Sequence, residues 1–250
     1  MTTYQDVVNA NFPLEAWALP EASGTSFAPY SGSGALTGAG VDAYQQAGPF
    51  ALGFSIHVTS GGLEKLFTLI NSSYWCMEAW FNTPAAHATL DRTLMELGNN
   101  LAAGGAELFL AHATNELKVI GNGALSSTGF IMPVGSWKLI QWGNLTGNNG
   151  DIVIAVDGAI IFSRRNAADF TGINGLGWGR DPSNTSPMTG SLAWPAVYTS
   201  QQTAQNWYSR FLASTDPDGA LPFTPSGGAV NNALLNEILA AVKRLFHNAP

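Results

Sequence analysis

The feature that most constrains this chain is a run of short apolar segments, each closed by turn-forming residues. Nine such segments, each of four to ten residues, occur between positions 50 and 164 and are rich in β-branched or aromatic residues. Clusters of Gly, Asn and Ser stand at 60–62, 98–100, 121–123 and 147–150. Many short strands separated in this way are typical of an antiparallel sandwich or barrel. The segments are 50–59, 65–70, 74–81, 93–97, 107–111, 117–120, 137–142, 152–156 and 160–164.

The strongest turn signal is the pair Asp157-Gly158, which lies between two of these segments. A two-residue type I′ turn needs positive φ at both central positions, and Asp-Gly is one of the pairs that adopt it readily. A further strand is predicted at 191–198, and no alternation of strands with helices occurs before residue 200. We therefore predict an all-β fold.

A helix is predicted directly after the last strand, at residues 201–213. Its large apolar side chains recur at helical spacing, so we expect them to share one face and to pack on the edge of the β domain. They are Trp207, Tyr208, Phe211 and Leu212.

The C-terminal segment, 229–250, is rich in Leu, Ala, Val and Ile and follows a Pro- and Gly-rich linker at 216–228. A helix of this length with a broad apolar face needs a partner in water. It can fold back to cap an edge of the β domain, residues 1–215, or it can mediate oligomerisation and docking, which we favour. Its 3-4-3 spacing is typical of a coiled-coil seam, formed by Leu235, Ile238, Val242 and Leu245.

Charged residues make up only 11% of the chain, and the net charge is −7. The chain shows no cluster of basic residues that could neutralise phosphates, so we expect no nucleic-acid partner. Residues 1–6 lack the basic and apolar regions of a signal peptide. The longest uncharged apolar run, 152–156, is too short to cross a bilayer, so we expect no membrane insertion.

The sequence lacks the common motifs of catalysis and metal binding. The paired carboxylates of sandwich glucanases, the G-x-S-x-G elbow of serine hydrolases and the H-x-x-x-H or C-x-x-C spacing of metal sites do not occur. Cys76 is the single cysteine and is expected to be buried and inert, since free Cys is among the most buried residue types. We therefore predict no catalytic residue, no metal site, no cofactor and no enzymatic activity.

The tryptophans divide into two groups. Trp17, Trp80 and Trp137 alternate with polar neighbours and are expected to point into the core. Trp178 and Trp194 lie near a Gly-rich segment and form either a sugar-stacking platform or a subunit contact. The sequence does not rank these two roles.

Five blocks follow one another along the chain: YQDVV with PLEAWALPEASG (4–8 and 13–24), YWCMEAWF (74–81), VGSWKLI (134–140), IVIAVDG (152–158), and LGWGRD with TGSLAWPAVY (176–181 and 189–198). In this order they resemble the laminin G-like jelly-roll domains of the concanavalin A-like superfamily. The resemblance implies a two-sheet antiparallel jelly-roll sandwich whose opening strand is the first block. These domains often carry Asp-Glu where this chain has Ala193-Trp194, so no Ca²⁺-binding role is carried over.

The resemblance also leads to a hypothesis about function, because bacteriophage minor tail proteins are known to carry such domains. We expect a non-catalytic structural or adhesion component of a virus particle, located in the virion and made without a signal peptide. Its C-terminal helix would contact other virion proteins or form a homo-oligomer. The alternative is a carbohydrate-binding module that recognises a cell-surface glycan through Trp178 and Trp194.

Overall fold

The computed structural model of this chain describes residues 4–50, 54–70, 74–99, 102–121, 124–146, 151–165, 173–180 and 186–215. Within these residues the helices are α1 (Tyr4–Ala10) and α2 (Ala204–Thr215). The strands are β1 (Glu15–Ala16), β2 (Ser26–Phe27), β3 (Leu36–Ala47), β4 (Phe54–Ile70), β5 (Trp75–Asn82), β6 (Arg92–Asn99), β7 (Ala102–Leu110), β8 (Glu116–Gly121), β9 (Ala124–Ile131), β10 (Lys138–Asn144), β11 (Ile152–Val156), β12 (Ala159–Arg164), β13 (Ile173–Trp178) and β14 (Met188–Tyr198).

The strands form one continuous sheet in which every described strand pair is antiparallel. The strand order is β12-β11-β10-β5-β14-β4-β13-β6-β7-β8-β9, with β1 paired to β14, β3 to β4 and β2 to β3. The two ends of this order meet, since Arg164 on β12 donates a hydrogen bond of 2.8 Å to Ser126 Oγ on β9. The sheet thus curls into a shape between a sandwich and a barrel, and the prediction of an antiparallel all-β fold is confirmed.

The large apolar core lies inside the curl, on the inner face of the sheet. Alternate residues of each strand point to it, as the two-residue period of a strand requires. Two edge-to-face tryptophan pairs occur in this core: Trp17 with Trp178, whose ring centroids are 5.7 Å apart, and Trp75 with Trp142, at 5.1 Å. Such pairs contribute about 0.5–1.5 kcal/mol beyond the burial of their area.

A second apolar layer lies on the outer face of β5, β10, β11 and β14. It is covered by α1 and α2, which contact each other. In α1 the buried residues are Tyr4, Val7 and Val8, at the i, i+3, i+4 spacing of a helix face. From α2, Trp207 is fully buried against the sheet. This layer converts part of the sheet into a three-layer arrangement with a core on each face.

All nine predicted central segments overlap described strands. Five lie wholly on them, 74–81, 107–111 and 137–142 each extend one residue beyond the strand, and 50–59 coincides with β4 from Phe54 onward. Asp157 (φ 52°) and Gly158 (φ 76°) both adopt positive φ between β11 and β12, so the predicted type I′ hairpin is confirmed. The predicted helix at 201–213 begins at Ala204. The predicted contact face was wrong in part: Trp207 is buried, but Tyr208 and Leu212 are 45% and 37% exposed, and Arg210 is buried in their place.

The resemblance led us to expect an opening strand at residues 4–8, and this expectation is wrong. These residues form α1 and not an opening strand. The strand role in this region is limited to the two residues of β1, which pair with β14. The helical spacing of Tyr4, Val7 and Val8 places one apolar stripe on the outer layer, which an extended chain with period two could not do.

The predicted turn at 60–62 is also corrected, because β4 runs through it without a break from Phe54 to Ile70. A Cβ at Gly61 would collide with the Ala39 backbone, and one at Gly62 with the backbone of Trp178 and Gly179. These glycines therefore allow β3 and the end of β13 to approach β4 closely. Close approach of another backbone is a common reason for glycine inside a strand.

The linker at 216–228 and the C-terminal segment at 229–250, with its seam of Leu235, Ile238, Val242 and Leu245, lie outside the described residues. Neither of the helices in the described part is long and apolar enough to cross a membrane.

Candidate functional site: a polar strip on the outer face

Strand β5 shows how the outer face changes from one end to the other. Its outward side chains are, in order, Cys76, Glu78, Trp80 and Asn82. Cys76 and Glu78 lie fully buried under α2, Trp80 belongs to a cluster of aromatic rings, and Asn82 is half-exposed. The outer face therefore passes from a charged anchor through an aromatic layer to a polar surface.

The charged anchor is a buried ion pair between Glu78 on β5 and Arg210 on α2. Arg210 Nε donates to Glu78 Oε2 at 2.7 Å, and both side chains are fully buried. Tyr198 donates to Glu78 Oε1 at 2.8 Å, and Gln141 Nε2 donates to Oε2 at 3.0 Å. Gln202 Oε1 accepts a hydrogen bond from Arg210 Nη1 at 2.9 Å. With every one of these groups covered, the anchor holds α2 on the sheet and offers no surface to a ligand.

The aromatic cluster, defined as Tyr4, Tyr30, Phe50, Trp80 and Trp194, surrounds Trp194. The centroid of Trp194 lies 5.5 Å from those of Tyr4 and Phe50 and 5.7 Å from that of Tyr30. Trp194 has a left-handed backbone (φ 53°) at an irregularity between Ala193 and Ala196, and its indole is 8% exposed. Residues held in such conformations need support from their surroundings, here supplied by three rings.

Next to this cluster, four adjacent strands present polar side chains in one row. His57 on β4 is the register partner of Ser191 on β14, and Ser191 is the register partner of Asn82 on β5. Directly paired residues of antiparallel strands point to the same face. Their sequence neighbours Ile56, Leu192 and Phe81 are buried in the inner core, so the three polar side chains face outward.

The row is completed by Asp42 on β3. A register irregularity between Val41 and Ala43 lets Asp42 reach His57, and Asp42 Oδ1 lies 2.7 Å from His57 Nδ1. The two side chains are 44% and 36% exposed. We call Asp42, His57, Asn82 and Ser191 the polar strip. It runs across the strands and not along them.

The polar strip offers donors and acceptors in a fixed order. A carboxylate can only accept, so His57 Nδ1 donates to Asp42, and in the neutral form of the ring Nε2 is then an acceptor. The Ser191 hydroxyl donates and accepts, and the Asn82 amide does the same through separate atoms. Neighbouring strands lie about 4.8 Å apart, so the strip extends over roughly 14 Å from β3 to β5. Such a row suits a ligand with many hydroxyl groups.

The sequence-predicted glycan residues lie elsewhere. Trp178 is fully buried in the inner core, where its Nε1 donates to Glu78 O at 3.2 Å. A stacking platform needs an exposed ring face, so this placement argues against a sugar-binding role for Trp178. Trp194 lies in the aromatic cluster beside the polar strip, with little exposed surface, and the structure does not bring it together with Trp178.

Of the other predictions, the burial of Cys76 is confirmed, and burial raises the pKa of its thiol well above the usual range. Trp17 is buried in the inner core as expected; Trp80 is also buried, but in the outer layer, and Trp137 is half-buried. The described residues contain no group of three or more His, Cys, Asp or Glu side chains that could hold a metal ion.

Sequence reasoning missed the polar strip. One signal was present, since Ser55, His57 and Thr59 alternate with Ile56 and Val58 and so predict a strand with a polar face. The neighbours of His57 could not be derived in the same way. Asp42, Ser191 and Asn82 are brought to it only by the pairing of β3, β14 and β5.

No protein-family model matches this sequence, and no curated protein is significantly similar to it. Many solved structures resemble the fold. Trypanosoma rangeli sialidase matches with a TM-score of 0.62 and 12% identity over 81% of this chain, which spans only 33% of the sialidase chain. The binding domain of botulinum neurotoxin serotype D matches with a TM-score of 0.56 and 10% identity, over 82% of this chain and 51% of that one.

A third likeness covers a whole domain. Domain 4 of AbnA, a GH43 extracellular arabinanase from Geobacillus stearothermophilus, was solved in complex with arabinotriose. It matches with a TM-score of 0.53 and 15% identity, over 79% of this chain and 97% of that domain. At these identities the likenesses establish the fold and nothing about the ligand of this chain.

Proposed function

We propose that this chain is a non-catalytic carbohydrate-binding domain of the concanavalin A-like jelly-roll type, with its ligand on the polar strip. The fold likeness to nearly the full length of a domain solved with arabinotriose motivates the proposal. The observation that carries it is the polar strip, where half-exposed His, Asp, Asn and Ser side chains stand in one row across four paired strands. Fold alone does not determine function, so the strip is what makes the proposal specific.

The hypothesis of a phage-particle component gains no support from these likenesses and stays a prediction. It rests on the resemblance of the sequence blocks, on the low charge of the chain and on the C-terminal segment, which lies outside the described residues. A carbohydrate-binding domain can also belong to a larger particle or enzyme, so the two interpretations differ in the ligand that they require and not in the fold.

The test is binding of the full chain to a broad glycan panel that includes arabinotriose, with and without Ca²⁺. We expect binding to at least one oligosaccharide, and we expect the single substitutions His57→Ala, Asn82→Ala and Ser191→Ala each to weaken it about two- to tenfold. A net hydrogen bond contributes about 0.5–1.5 kcal/mol, which corresponds to that range.

The matched control is His112→Ala. His112 is also paired with an aspartate, Asp91, at 2.7 Å and is 54% exposed, but it lies on the loop between β7 and β8. It should leave binding unchanged. The proposal would be refuted if the chain bound no member of the panel, or if all three strip variants bound as tightly as the unmodified chain.

A further inference from the structure

We infer that the polar strip selects neutral oligosaccharides and discriminates against glycans that carry a carboxylate, such as those ending in sialic acid or a uronic acid. The inference rests on the proposed function, since it specifies the substrate class of the same site. It is drawn from the charges around the strip. It differs from what the fold likeness to a sialidase alone would suggest, namely an acidic glycan.

Asp42 is the only formally charged side chain of the strip when His57 is neutral. Its Oδ1 is engaged by His57, while the side chain as a whole is 44% exposed. A free carboxylate oxygen at the surface accepts hydrogen bonds from sugar hydroxyls. It repels a second carboxylate, and like charges at close range on a sheet surface are destabilising.

No Lys or Arg of the described residues compensates for Asp42 at the strip. Recognition of a carboxylate characteristically uses Arg, whose planar fork donates two parallel hydrogen bonds, or a Lys ammonium. Of the four strands that carry the strip, only β4 contains a Lys or Arg residue. That residue is Lys65, which lies eight positions beyond His57 and is paired with Glu15 at 3.3 Å.

The remaining described cations are engaged or lie on other elements. Arg180 pairs with Glu64, Lys118 with Glu116, Lys138 with Asp157 and Arg210 with Glu78. Arg92 is buried against Asn115, Arg164 bonds Ser126 on β9, and Arg165 follows β12, which β11 and β10 separate from β5 in the strand order. Among the described residues, no Lys or Arg is therefore available at the strip to bind an anion. The strip offers its donors and acceptors to hydroxyl groups.

The dimension of the strip adds a second expectation. A row of roughly 14 Å across four strands is longer than one sugar ring, so successive rings of a chain can contact Asp42 and His57 at one end and Asn82 at the other. Affinity should then rise with the number of residues in a neutral oligosaccharide until the row is filled.

The experiment is an array of matched glycan pairs, each neutral glycan printed beside its sialylated or uronic-acid form, with lactose and 3′-sialyllactose among them. We expect the neutral member of each bound pair to bind more tightly. Acidic members that bind as well as or better than their neutral parents would overturn this inference and leave the proposed function standing. Failure of every glycan to bind would overturn both.

A substitution tests whether Asp42 is responsible. Asp42→Asn keeps the shape of the side chain and removes its charge. It should lower the ratio of the affinity for the neutral glycan to that for its acidic form about two- to fivefold, the size expected for exposed charge interactions. This decrease should be smaller at high salt, which screens exposed charges. The control, Asp91→Asn, removes an aspartate with the same 2.7 Å histidine contact outside the strip and should not change the ratio. An unchanged ratio in Asp42→Asn would contradict the assignment to this residue.

Discussion

Cys76 shows how the chemistry of one residue is set by the layers around it. It lies on the outer face of β5 but is fully buried, and α2 covers this part of the sheet. Burial disfavours the thiolate, which raises the pKa of the thiol. Since the thiolate is the nucleophile, a buried neutral thiol reacts slowly with any reagent.

We therefore predict that Cys76 in the folded protein does not react with the thiol reagent DTNB at pH 8 over many minutes. In urea above the unfolding midpoint, one thiol per chain should react at the rate of a free cysteine. Rapid reaction of the folded protein would show that α2 does not cover this part of the sheet as described.

At the scale of single residues, the sequence predicted types of environment better than it predicted sites. Burial of Cys76, Trp17 and Trp80 follows from their residue types and from strand alternation. The placement of Trp178 in the inner core and of His57 on the surface depends on how distant strands pair. Local pattern carries no information on such pairing.

At the scale of elements, α2 depends on a charge that the sequence pattern did not reveal. Helical spacing predicted a purely apolar contact face, yet Arg210 is buried there and bonds Glu78. A buried ion pair that loses one partner leaves an uncompensated charge, which costs about 3–5 kcal/mol. Replacing both partners by apolar residues of similar volume is often close to neutral.

Accordingly, Arg210→Ala should lower the free energy of unfolding by about 3–5 kcal/mol in urea titrations. The double variant Glu78→Met/Arg210→Met should recover a large part of this loss. Arg165→Ala, which removes an exposed arginine, is the control and should change stability by less than about 0.5 kcal/mol. A small effect of Arg210→Ala would mean that α2 is not anchored through this pair.

Strands were predictable where apolar alternation and turn residues agreed, as in β5, β10, β11 and β12. Strands β3 and β9 were missed for a physical reason. Both are rich in Gly, Ala, Ser, Thr or Gln, and β3 has three register irregularities against β4. Their extended form comes from pairing with a neighbouring strand and not from their own side chains, in keeping with the context dependence of β-propensity.

At the scale of the whole molecule, the outer layer brings several weak acids into a covered region. Burial raises the pKa values of Tyr4 and Tyr198 well above 10 and that of Cys76 above 9; the nearby Arg210 guanidinium acts against this rise, and the Glu78 carboxylate acts with it. In the unfolded chain these groups titrate near their ordinary values, about 8.5 for Cys and about 10 for Tyr. The folded and unfolded states therefore bind different numbers of protons at alkaline pH.

The sign follows from that difference. As pH rises past the unfolded pKa values, the unfolded chain releases protons that the folded chain still holds, so it binds fewer protons and the free energy of unfolding decreases. The stability linked to these groups is fully present below about pH 8. We expect it to fall progressively between about pH 9 and 11, which urea midpoints measured at each pH will show.

Tyr4→Phe isolates one contribution to this decrease, because it removes the titrating hydroxyl and keeps the ring that packs 5.2 Å from Phe50 and 5.5 Å from Trp194. It should reduce the slope of the free energy of unfolding against pH by the contribution of one proton, which is at most about 1.4 kcal/mol per pH unit. Tyr208→Phe, at a tyrosine that is 45% exposed, is the matched control and should leave the slope unchanged. If Tyr4→Phe has the same slope as the unmodified chain, then α1 does not hold Tyr4 in the outer layer, and the two-core arrangement of the molecule would need revision.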